Sequence, residues 1–110
     1  KLRKDPHFQV DQYDLTTVMR VSPWEAALGT SLSVKTLQGV VSMKLPAGTQ
    51  SGQRLRLRGK GLPRRKGAQP GNLYVIVEIA VPKSLSQKER ELFEELAKVS
   101  SFNPRGMKDQ

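Results

Sequence analysis

Seven basic side chains fall within one short stretch: Arg54, Arg56, Arg58, Lys60, Arg64, Arg65 and Lys66. No acidic residue interrupts them. Guanidinium and ammonium groups gathered in this way bind phosphates or carboxylates, or simply keep a surface wet. The first three arginines alternate with Leu55 and Leu57. Period two puts the leucines on one face of a β-strand and the arginines on the other. Within the stretch no aromatic side chain is interleaved to stack on a base, which weighs against nucleic acid.

Other reactive chemistry is sparse. His7 is the only imidazole and lies in a polar lead-in beside Pro6. The chain has no Cys, which removes thiol nucleophiles, disulfide frameworks and zinc ribbons together. Its acids are scattered, and no cluster has the spacing of metal ligands. Gly59-Lys60-Gly61 lacks the longer Gly-x-x-x-x-Gly-Lys-Ser/Thr pattern of a phosphate loop, and a turn explains it. We expect no enzyme, no metal site and no cofactor.

The elements that must carry the basic face follow from composition and patterning. A chain of 110 residues is one domain with a modest core. Its formal net charge is +9, and the seven clustered bases account for most of it. No apolar run approaches the roughly 20 residues that cross a bilayer, and the first residues do not read as a signal peptide. No membrane partner is expected. The absence of Cys fits a reducing, cytoplasmic setting, and a start on Lys1 suggests a piece of a longer protein.

Strands dominate the pattern. Leu15, Met19 and Val21 share a phase, as do Leu32 with Val34, and Val41 with Met43 and Leu45. Leu37-Gln38-Gly39 turns the chain between the last two. Leu73, Val75, Val77, Ile79 and Val81 predict the longest strand, stopped by Pro82, with Ile76 and Ala80 implying a partly covered second face. Ser22-Pro23-Trp24-Glu25 opens a short helix through a capping box, with Trp24, Ala27 and Leu28 able to face inward and Gly29 ending it. Ser86 and Glu89 form a second capping box before a stripe of Leu92, Phe93, Leu96 and Val99. Strands first and an amphipathic helix last predict a mostly β, two-layer β-sandwich rather than a parallel α/β sheet.

Five motifs then occur in order: Ser22-Pro23-Trp24-Glu25-Ala26-Ala27-Leu28-Gly29, Val34-x-Thr36-Leu37-x-Gly39, Pro46-x-Gly48-Thr49-Gln50-Ser51-Gly52, Leu55-Arg56-Leu57-Arg58-Gly59-Lys60-Gly61-Leu62-Pro63 and Gly71-Asn72-Leu73-Tyr74-Val75. Together they closely resemble the second C-terminal β-domain of DnaJ-type co-chaperones, of the CbpA-like kind without a zinc-binding insert. The resemblance runs from about Phe8 to the terminal helix. It departs at Asn72, where the family usually has Asp, and in the lead-in Asp5-Pro6-His7-Phe8.

The resemblance implies a fragment that holds unfolded client polypeptides for delivery to a DnaK-type ATPase. No His-Pro-Asp triplet is present, so the fragment itself should not stimulate that ATPase. Residues 1–85 would form the β-domain and residues 86–110 a helix and tail. The candidate client surface is an open sheet edge on the Leu15 to Val21 strand and a neighbour through Leu32 and Val34, with Trp24 close by; the alternative is that these residues are plain core. The resemblance also implies a homodimer in the full-length protein, with Leu92, Phe93, Leu96 and Val99 as its candidate contact. The same stripe packing onto the domain's own sheet is the alternative. The basic stretch, Arg54 to Lys66, is left among a solvated face, an acidic partner such as a DnaK-type tail, and nucleic acid.

Overall fold

Leu73, Val75 and Val77 occupy alternate positions of one strand and are each fully buried, so the period-two pattern marks the middle of the core. The structure is a computed structural model and describes residues 9–64 and 68–105. Its elements are β1 (Gln9–Asp11), β2 (Asp14–Val21), α1 (Pro23–Leu28), β3 (Thr30–Thr36), β4 (Gly39–Leu45), β5 (Arg54–Leu57), β6 (Leu73–Ile79) and α2 (Gln87–Val99). One sheet has the order β1-β2-β6-β5, and β3 and β4 form a second, two-stranded sheet. The protein is mostly β, with the two layers expected of a sandwich.

The two sheets meet over a continuous apolar interior. Leu15, Leu73 and Val75 from the first sheet pack with Val34 and Met43 from the second and Leu62 from a loop. Val21 and Val77 pack with Leu45 and with Ala26 of α1. Met19, Leu32 and Leu55 border both groups and join them into one core. The arrangement also contains a pairing that local pattern does not reveal. β2 and β6 lie parallel, Leu15 beside Leu73 through Val21 beside Ile79, although more than fifty residues separate them in the chain.

Three local details depart from the sequence reading. β6 ends at Ile79, leaving Val81 exposed, and β2 with eight residues is longer than β6 with seven. In α1 the residue turned inward is Ala26, whereas Trp24, Ala27 and Leu28 are exposed. The reason lies in what caps the helix. The Ala26 carbonyl accepts from the N–H groups of both Gly48 and Thr49, which holds that side of the short helix against the Pro46 to Thr49 loop. Both predicted capping boxes are formed, Ser22 with Glu25 and Ser86 with Glu89.

Two glycines are dictated by geometry. Gly52 has φ +88°, and its N–H donates to the Val77 carbonyl while the Val77 N–H donates to Gln53. Two consecutive residues thus oppose one, a bulge whose first position favours glycine. Gly71 lies directly against the Tyr13 carbonyl, and a Cβ there would collide with it. That carbonyl already accepts from the Leu62 N–H, and Gly71 and Leu62 bond to each other. The loop after β5 is thereby pinned to the β1–β2 turn.

Candidate functional site

The pairing register assembles the basic face. Arg54 lies opposite Ile76 and Arg56 opposite Tyr74, while Leu55 and Leu57 lie opposite Val75 and Leu73. Leu55 and Leu57 therefore turn to the core and Arg54 and Arg56 to the outer face, as the alternation predicts. On the same outer face, β2 adds Thr16 beside Tyr74, Val18 beside Ile76 and Arg20 beside Glu78. Arg58 falls in the turn that follows β5, and Lys60 is half-buried beyond it. Arg65 and Lys66 lie outside the described residues.

Aromatic rings from elsewhere in the chain meet two of these arginines. The Arg54 guanidinium stands 4.5 Å from the centre of the Tyr74 ring, and that of Arg64 4.9 Å from Tyr13. The expectation that the patch lacks aromatics holds only along its own segment. Sequence reasoning missed Tyr74 and Tyr13, and the signal that finds Tyr74 is the β5–β6 register. Charge pairing is sparse. Among the described residues the one ion pair is Arg20 with Glu78 at 3.1 Å, both side chains largely exposed. Arg54, Arg56, Arg58 and Arg64 are exposed with no carboxylate paired to them among those residues.

At the entry to β6, Asn72 ties three segments together. Its N–H donates to Asp14 Oδ1 at 2.8 Å, and its own Oδ1 accepts from the Gly59 N–H at 3.0 Å. An aspartate has the same acceptor oxygen, so this departure from the family pattern keeps the bond that orders the turn after β5.

A second candidate surface is apolar. Trp24 of α1 is 48% exposed and its ring lies 6.2 Å from that of Phe93 in α2, tilted by 53°. Leu92 and Leu96 join the two rings around an open cavity of about 310 Å³, with Glu89 at its margin. No residue of α2 is buried; Leu92, Leu96 and Val99 are exposed and Phe93 half-buried. The stripe meets its own domain at Trp24 and leaves most of its apolar surface in water.

The residues proposed for an open client edge are placed differently. Leu15, Val21 and Val34 are at most 3% exposed and belong to the core, so the plain-core alternative applies to these three. β2 and β3 are not neighbours in a sheet but face each other from opposite layers. Leu32 is half-buried against the core, and of that set Trp24 alone is exposed. Sequence pattern identifies apolar faces correctly here but cannot tell an inner face from an accessible one.

Among the described residues no group of three or more His, Cys, Asp or Glu side chains is placed to hold a metal ion. No helix among them is long and apolar enough to cross a membrane. His7 lies outside the described residues.

With this geometry in place, comparison with known proteins identifies the class. The model of the DnaJ C terminal domain matches residues 1–82, and the chain belongs to that family. Among curated relatives, a Curved DNA-binding protein of Coxiella burnetii (strain Dugway 5J108-111) is 43% identical over 102 residues, covering 91% of this chain and 32% of the relative. Proteins of the same name are similar in Pseudomonas putida (strain GB-1), 42% identical with 94% of this chain and 33% of the relative covered, and in Escherichia coli O1:K1 / APEC, 45% identical with 91% and 32% covered. The chain spans about a third of the length of these relatives.

Proposed function

We propose that this domain grips extended apolar segments of unfolded polypeptides, as part of a DnaJ-type co-chaperone that delivers them to a DnaK-type ATPase in the cytoplasm. Family membership and the exposed apolar surface around Trp24, Leu92 and Leu96 support this reading. Residues 1–85 hold the client, with Trp24 as the exposed member of the apolar set and Leu32 half-buried. Residues 86–110 supply a contact between two copies through Leu92, Phe93, Leu96 and Val99. The observation that carries it is α2, a well-capped helix none of whose residues is buried and whose Leu92, Leu96 and Val99 are exposed. Soluble monomers rarely leave such a surface without a use. No group transfer or hydrolysis enters this role.

The test is suppression of aggregation. The chain should slow light scattering by a thermally unfolding client, and Trp24→Ser should remove most of that effect without unfolding the sandwich. An unfolded apolar peptide should shift the NMR signals of Trp24 and Leu32. If the client aggregates equally with and without the chain, the reading fails.

A second reading, nucleic-acid binding through the Arg54 to Lys66 stretch, has its own support. The relatives are named Curved DNA-binding protein, and the arginines of β5 lack acidic partners among the described residues. It calls for DNA affinity that falls steeply with salt.

A further inference from the structure

β5 is the outermost strand of its sheet, with β6 on one side and no strand on the other among the described residues. The bulge at Gly52 fixes which of its backbone groups are used. Gln53 accepts from the Val77 N–H, so its backbone turns toward β6. Bonded and non-bonded pairs alternate in an antiparallel ladder, and the register makes Leu55–Val75 the next bonded pair. The N–H and C=O groups of Arg54 and Arg56 therefore turn to the open side. On the inner face Leu55 and Leu57 are half-buried. A row of open backbone groups beside half-covered leucines is a template for pairing with the same edge of another copy.

We propose that Arg54 and Arg56 bar that pairing, making β5 an edge that charge protects from a second copy of itself. The parity of the strand leaves no way around them. Only the backbone groups of Arg54 and Arg56 are free to bond, so two β5 edges can pair antiparallel in few registers. These set Arg54 against Arg54, Arg54 against Arg56, or Arg56 against Arg56. In each, arginine stands directly opposite arginine on the outer face, with Cβ atoms about 4.5–5.5 Å apart, where like charges repel. A shift by one residue separates the charges but aims the open groups at residues already bonded to β6, and it turns the leucines to the outer face. The repulsion is not relieved within one copy. Neither arginine has a carboxylate paired to it among the described residues, and Glu78 on the same outer face is engaged by Arg20. The Tyr74 ring beneath the Arg54 guanidinium keeps that charge over the outer face. Without the charges, the register of Arg54 against Arg56 would set Leu55 beside its counterpart and extend the apolar inner face across the joint. The proposal goes beyond the client reading, which rests on the apolar surface around Trp24.

The experiment follows self-association by sedimentation and amide exchange in the Phe93→Asp background, which removes the proposed α2 contact between copies. Arg54→Thr with Arg56→Thr should tighten self-association by about tenfold or more. The amides at positions 54 and 56 should then exchange more slowly as protein concentration rises. Arg54→Lys with Arg56→Lys keeps the charge and should remain monomeric. Salt supplies an arm that needs no substitution in β5. Raising it from about 0.1 M to about 1 M shortens the screening length from about 10 Å to about 3 Å, so the arginine-bearing strand should itself begin to pair, with slower exchange at Arg54 and Arg56. A folded threonine variant that sediments as its background does, with unchanged exchange at both positions, would overturn the proposal. So would equal association of the lysine and threonine variants, which would remove charge as the cause. If the threonine variant does not fold, the salt arm decides, and unchanged exchange at Arg54 and Arg56 in high salt counts against the proposal. None of these readouts involves an unfolded client, so their failure leaves the client reading standing.

Discussion

The Arg54 guanidinium lies 4.5 Å from the centre of the Tyr74 ring, a contact between adjacent strands that neither local sequence predicts. It shields one face of a half-buried ring while keeping the charge in solvent. Arg56, directly opposite Tyr74 in register, is exposed on the same face. Urea unfolding should separate the two. Arg54→Ala should cost about 0.5–1 kcal/mol through the lost cation–π contact. Arg56→Glu should change stability by less than about 0.5 kcal/mol. A larger loss at Arg56 would mean that its side chain is paired.

Core and helix leucines should respond in opposite ways. Leu73 is fully buried at the centre of the sandwich, so Leu73→Ala should cost about 2–5 kcal/mol. Leu92 is 56% exposed, and Leu92→Ala should cost less than about 0.5 kcal/mol in the isolated, monomeric chain. Thermal unfolding of both variants at low protein concentration checks the contrast.

The close approach at Gly71 gives a sharper test. Gly71→Ala would drive a methyl group into the Tyr13 carbonyl, which backbone bonding to Leu62 prevents from moving away. We expect a loss of about 3 kcal/mol or more, seen as an early urea midpoint. A variant as stable as the parent would show that the loop can separate from the β1–β2 turn at little cost.

Asn72 should matter through one oxygen. Asn72→Ala removes the acceptor of the half-buried Gly59 N–H and should cost about 1–2 kcal/mol. Asn72→Asp keeps an acceptor there and should cost less than Asn72→Ala. Amide exchange at Gly59 reports the bond directly and should accelerate only in the alanine variant.

Self-association should follow the α2 stripe. The chain should sediment as a dimer, and Phe93→Asp should give a monomer whose β-sheet circular dichroism is unchanged. Phe93 is half-buried beside Trp24 and belongs to neither core cluster of the sandwich. A monomeric parent chain would end the idea.

Strand alternation, two capping boxes and the order of five motifs were enough to read the sandwich, its helices and its family. These signals are local, because side-chain direction in strands and the bonding of a helix start are set by a few neighbouring residues. Accessibility was not legible. Leu15, Val21 and Val34 have the composition of a peptide-binding strand, but the opposite sheet covers them. Leu92, Leu96 and Val99 have the spacing of a packed helix, yet all three are exposed.

What the amino-acid order determined by itself is which residues share a face: the leucines of β5 on one side and its arginines on the other. Tertiary structure alone decided what each face meets, because that depends on partners distant in the chain. The parallel union of β2 with β6 brings Val18 and Arg20 alongside Ile76 and Glu78, and antiparallel pairing sets Tyr74 beside Arg56. Among the described residues it also left β5 with one side unpaired, since a strand becomes an edge only when the whole sheet has been ordered.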